Sequence, residues 1–279
     1  SGPSVHRQQT PLSFPRPVTG KGSNRLALEF QKNARAVAKF FGLPLPLAPE
    51  EIHVFSAGEE KLLEKFLRKA GFTPSLLSET RRNVRAGSSY FIPYPGAVYL
   101  AGDEPAAIAE EASHFVRHAC GGTPPARTRP DLFYQLLLNE TAGYLGSKLL
   151  CPERKTLSEG EILAEFRSPS FGRAPFEKSA IETAARHLLA EADPEEAEAL
   201  PRLYRSSLAR VVGAAHLLGY SLAERLHAAI LRKRYPTACA RELFTEDWSA
   251  PGAGLARYIT LKAQLAGIIR PSKSALHAS

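Results

Sequence analysis

Between Tyr90 and Leu150 the chain reads as one tight hairpin followed by two long helices, and this order limits the architecture more than any other stretch. Tyr90-Phe91-Ile92 and Ala97-Val98-Tyr99-Leu100 are β-prone runs on either side of Pro93-Tyr94-Pro95-Gly96, so they predict two antiparallel strands around a turn. A helix is predicted from about Pro105 to Cys120, ended by Gly121-Gly122. A second is predicted from about Pro130 to Leu150, stopped before Pro152.

The flanks extend this plan. Leu26, Phe30, Ala34, Val37 and Phe41 recur at helical spacing, so a helix capped by Ser23 or Asn24 should run to Phe41, where Gly42 stops it. Ile52 to Phe55 is a short strand, and Glu59 to Ala70 an amphipathic helix closed by Gly71. From 154 onward the pattern is helical, with segments at 175–191, 195–216, 221–234 and 253–268. Asp193-Pro194-Glu195-Glu196 and the Ser221-Leu222-Ala223-Glu224 capping box mark two of their starts. The expected class is α+β. An extended, proline-bearing arm (1–23) precedes a mixed domain (24–153) and an all-helical C-terminal part (154–279). Gly20-Lys21-Gly22-Ser23 lacks the upstream glycine and strand of a phosphate-binding loop.

Bulk properties narrow the classes. With 279 residues and 44% hydrophobic content a sizeable core can form. A formal net charge of +8 permits contact with nucleic acid, an anionic surface or an acidic protein. Three cysteines (Cys120, Cys151 and Cys239), with no C-x-x-C pair, point away from a disulfide framework and toward the cytoplasm. No run of about 18 apolar residues is present to span a membrane, and the N-terminus lacks the layout of a signal peptide.

Chemistry concentrates in the 105–120 helix. Glu110, His114 and His118 fall at i, i+4 and i+8, close to one stripe, and Glu111 lies roughly 100° round from Glu110. Glu110-Glu111-Ala112-Ser113-His114 is the zinc-peptidase pattern H-E-x-x-H with glutamate in place of the first histidine. In that pattern two ligands one turn apart grip the ion, and the intervening carboxylate, here Glu111, takes a proton from water. A third ligand arrives from another helix, where Glu140 is the obvious carboxylate. Glu110 and Glu111 also fit solvated helix-face carboxylates, and His114 a core histidine.

The order hairpin, motif helix, loop and a helix ending in Ala142-Gly143-Tyr144-Leu145-Gly146-Ser147-Lys148-Leu149-Leu150-Cys151-Pro152 resembles the ImmA/IrrE-type zinc peptidases over about 90–153. Those chains carry H-E-x-x-H-x-x-x-H and then E-x-x-A-N-x-F-A-A-x-L-L-M-P. The resemblance implies a zincin-like domain, a small sheet with a motif helix and a second ligand helix. It also implies a bacterial, cytoplasmic hydrolase acting on a protein partner such as a transcriptional repressor. It implies Glu111 as general base and His114 as a metal ligand, with Glu110 at a substituted ligand position. The family's ligand glutamate falls on Asn139, one residue before Glu140, so either could be the third ligand; His118 is a further alternate. Two carboxylates and one imidazole can hold a divalent ion, Zn or Mn, and the added carboxylate favours harder ions and makes a weaker Lewis acid. A pseudopeptidase that binds without cleaving is the counterpart reading.

Other constellations compete less well. A di-iron bundle needs a second E-x-x-H, and Glu182 and His187 have the wrong spacing. His118 and Cys120, two apart on a helix, point away from each other. Arg81, Arg82 and Arg85 form one basic cluster and Arg202, Arg205 and Arg210 another. Ala214 to Leu226 has the look of a helix–turn–helix with Gly219 at its turn, and Arg225, Arg232, Lys233 and Arg234 would then touch DNA, making a non-catalytic regulator the alternative function.

Overall fold

The computed structural model describes residues 21–155, 157, 158, 160–162, 164 and 208–269. The predicted arm up to residue 20, the 175–191 helix, the start at Asp193, the 195–207 part of the next helix, and Arg202 and Arg205 lie outside the described residues, as does the side chain of Arg210.

The first helix, α1 (Lys21–Phe41), starts ahead of the expected Ser23 or Asn24 cap, buries the expected stripe of Leu26, Phe30, Ala34, Val37 and Phe41, and ends where Gly42 adopts a positive φ of 62°. Strand β1 (His53–Ser56) follows, then α2 (Glu60–Lys69), which Gly71 terminates with φ 91°. The chain next forms α3 (Pro74–Arg85), which was not foreseen. Thr73 caps it by accepting from the Leu76 N–H at 3.4 Å, with Pro74 in the first turn. Its apolar signal is weak because only Leu77 and Thr80 are buried on it. The basic cluster Arg81, Arg82 and Arg85 lies on this helix, and Arg81 pairs with Glu64 of α2.

The predicted hairpin is present as β2 (Tyr90–Ile92) and β3 (Ala97–Leu100), antiparallel with Phe91 opposite Val98. β1 adds to β3 in parallel, giving the order β1-β3-β2. The period of two along β3 sorts its side chains. Ala97 and Tyr99 join Phe55, Leu63, Phe66 and Leu77 in a small cluster beneath α2 and α3. Val98 and Leu100 face the main core. The class is α+β, mostly helical with a small mixed sheet.

Beyond the sheet run α4 (Pro105–Gly121) and α5 (Arg129–Leu150), then α6 (Leu208–Leu231), α7 (Thr237–Thr245) and α8 (Ala253–Ile269). One apolar cluster joins Phe30 of α1, Phe115 of α4, Leu137 and Leu145 of α5, Leu218 and Leu226 of α6, Phe244 of α7 and Leu261 of α8. The C-terminal helices therefore share the core of α1, α4 and α5. Among the described residues no helix is long and apolar enough to cross a membrane.

The helix–turn–helix reading is overturned. Residues 208–231 form one continuous helix, with Gly219 and the Ser221 capping box inside it. A mid-helix glycine costs about 1 kcal/mol against alanine, yet here it answers to packing. A Cβ on Gly219 would lie 2.6 Å from the Leu137 carbonyl oxygen and 2.8 Å from Glu140 Cβ. Close contact with α5 carries the helix through a residue that sequence rules read as a stop. The nine-residue α7 was also missed, being too short for a clear period, although Ala240, Leu243 and Phe244 are buried on it.

Gly146 plays the same part between α5 and α4, since a Cβ there would overlap Ser113 Oγ and lie 2.8 Å from Ser113 Cβ. Gly146→Ala should therefore lower stability by about 1–3 kcal/mol through overpacking. Adding Ser113→Ala, which removes the nearer atom, should recover part of the loss. Urea unfolding of the single and double variants checks this, and an unchanged midpoint for Gly146→Ala would contradict it.

Candidate metal centre

Helix α4 points Glu110 and His114 at α5, and α5 returns Glu140. One donor atom from each of Glu110, His114 and Glu140 lies within 4.8 Å of the other two, and His114 Nε2 is 3.8 Å from Glu140 Oε2. The ring of His114 rides over Gly143, where a Cβ would come within 2.5 Å of Cε1 and Nε2. Glu140 lies about 60° round α5 from Gly143, on the flank that meets His114. Of the two rivals on α5, Glu140 is the one whose carboxylate lies beside His114 and Glu110. Asn139 lines the same cleft, as does His118, which is outside the donor group and has Nδ1 2.7 Å from Thr123 Oγ1.

The three donors sit in a cleft of about 390 Å³ whose walls include Phe91, Gln135, Leu136 and Trp248. Strand β2 is an edge of the sheet, and Tyr90 and Phe91 line this cleft. Arg117 closes one side. It is 1% exposed, lies 3.8 Å over the Trp248 ring and donates to the Phe244 and Glu246 carbonyls. Burial lowers its pKa to about 10.

Glu111 is buried beside the triad. Burial, aided by the charges of Glu110 and Glu140, pushes its carboxyl well above the usual range, while a hydrogen bond from the Phe91 backbone opposes the shift. Glu140 behaves differently. Burial raises it, but His216 and His114 together hold it below its usual value. His216 reciprocates: burial lowers it and Glu140 outweighs that, so its pKa is raised.

Two partners of the triad were not foreseen. His216, on α6, places Nδ1 3.0 Å from Glu140 Oε2. At that separation both charge and a hydrogen bond join His216 to Glu140. Arg154, in the turn after α5, donates from Nη1 to Glu110 Oε2 at 2.7 Å and to Ser147 Oγ at 2.8 Å, with its guanidinium 4.8 Å over the Tyr144 ring. The signal for His216 was a lone imidazole in an otherwise apolar run, Val211 to Leu218. Arg154 left no local signal.

The residues foreseen for DNA contact do not share one setting. Arg232, Lys233 and Arg234 are exposed at the end of α6, whereas Arg225 is half-buried and its charge acts on buried Tyr258 of α8. Cys120, Cys151 and Cys239 are free thiols. Compared with known proteins, the chain matches no family model, no curated protein and no solved structure.

The Glu110–Arg154 pair is mostly buried, at 13% and 21% side-chain exposure. Arg154→Met should leave Glu110 without its cation and cost about 1–3 kcal/mol. Glu110→Gln in the Arg154→Met background should restore part of that. A double-mutant cycle by chemical denaturation reads the coupling, and additive losses would show that the pair is not coupled.

Proposed function

We propose that this chain is a divalent-metal-dependent peptidase with a zincin-like site, resembling the ImmA/IrrE-type enzymes and acting in the bacterial cytoplasm on a protein partner such as a transcriptional repressor. The observation that carries the reading is the convergence of Glu110, His114 and Glu140, with Glu111 beside them, in a cleft lined by the edge strand β2.

The residues fit an ion. His114 presents Nε2 to the buried Glu140 Oε2 at 3.8 Å, beyond hydrogen-bond length, with Glu110 completing a group whose donor atoms lie within 4.8 Å of one another. Two carboxylates and an imidazole suit Mn as well as Zn. A bound divalent ion supplies Lewis-acid polarisation and activates water at neutral pH. The chain's own groups do the rest. The cleft beside the edge strand β2 receives an extended peptide segment and aligns it. Burial first, and the charges of Glu110 and Glu140 second, raise the Glu111 carboxyl, and added positive charge in the cleft lowers it again and frees it to act as a base. Glu111 then takes a proton from the attacking water and delivers it to the leaving amine.

A second reading rests on Arg154 and His216. They already set a cation against each carboxylate of the triad, so the cleft is balanced internally. This favours a pseudopeptidase that uses the same strand edge to hold a protein segment without cleaving it.

Elemental mass spectrometry on protein purified without chelator separates the two. The peptidase reading expects about one equivalent of Zn or Mn, lost in His114→Ala. It also expects Glu111→Gln to retain the ion while peptide hydrolysis drops by roughly 10²–10⁴-fold. Absence of metal after incubation with either ion would sink the peptidase reading and select the pseudopeptidase.

A further inference from the structure

The geometry points to His216 as a positioning residue for Glu140, an imidazole that holds the ligand carboxylate from outside the centre. This rests on the metal reading above and extends it to a residue that neither the motif helix nor the second ligand helix contains.

Glu140 Oε2 stands between two imidazoles, with His114 Nε2 at 3.8 Å and His216 Nδ1 at 3.0 Å. Only the first belongs to the donor group that can close on one ion, because His216 is not among the residues whose donor atoms all lie within 4.8 Å of one another. His216 instead reaches Glu140 from α6. That helix is pressed against α5 at this level, since Gly219, three residues further on, leaves no room for a Cβ beside Glu140 Cβ and the Leu137 carbonyl. The backbone approach that demands Gly219 also brings His216 to the carboxylate. Its side chain is 43% exposed within the cleft wall, so His216 is not needed to fill the core. A ligating carboxylate is oriented by such outer partners, and losing one weakens metal affinity by about 10–100-fold.

The test is Zn(II) affinity of the full chain, read by competition with a chromophoric chelator, for the wild type, His216→Ala and His216→Asn. The asparagine amide nitrogen takes the place of Nδ1. We expect His216→Ala to bind one equivalent about 10–100-fold more weakly, with unchanged far-UV circular dichroism, and His216→Asn to recover most of the loss. Wild-type affinity in His216→Ala would overturn this role alone and leave the metal reading standing. Equal weakening in Ala and Asn would overturn it in favour of direct ligation by His216. A wild-type chain that takes up no ion would overturn the metal reading and this role with it.

Discussion

The close approach of α4, α5 and α6 at Gly143, Gly146 and Gly219 is the constraint on which the centre depends. Each glycine stands where a Cβ would strike a neighbouring helix: His114 at Gly143, Ser113 at Gly146, and Leu137 and Glu140 at Gly219. Small residues let helix backbones come nearer than branched or aromatic side chains would allow, and interiors packed at crystal-like density tolerate no added volume there. Two glycines bring the motif face of α4 onto α5, and the third brings α6 to the same level. Glu110, His114, Glu140 and His216 are neighbours because three side chains are missing.

Burying three carboxylates together raises an electrostatic problem, and the chain answers it unevenly. Glu110 has Arg154, Glu140 has His216 and His114, and Glu111 has a backbone hydrogen bond from Phe91 and a weaker pull from the Arg154 charge. Glu111 is therefore the carboxyl that burial and its neighbours drive toward the protonated state. Such a group is responsive, because its proton affinity depends on whether Glu110 and Glu140 are compensated by internal cations or by a bound one. Its place beside the edge strand puts that proton where an extended backbone would lie.

Much of the frame was legible in order along the chain. The hairpin, α1, α2, α4 and α5 were all marked by period, caps and Gly/Pro stops. The pairing of 110 with 114 follows from one helical turn. α3 was hidden because so little of it is buried, and α7 because it is short. The break expected at Gly219 was wrong because a propensity penalty of about 1 kcal/mol is small beside the packing of a whole helix face.

The sequence by itself determined which helix carries the candidate chemistry and which residues on it share a face, because those relations act over a few residues and are set by helical geometry. It could name Asn139 and Glu140 as rivals but not choose, since a rotation of about 100° is decided by what the helix packs against. The approach of the Glu140 carboxylate to Glu110 and His114, the pairing of Arg154 with Glu110 across 44 residues of chain and the arrival of His216 were set only by tertiary structure. Those contacts join segments distant in sequence, and their partners are selected by where glycines allow backbones to meet and where buried charge must be compensated.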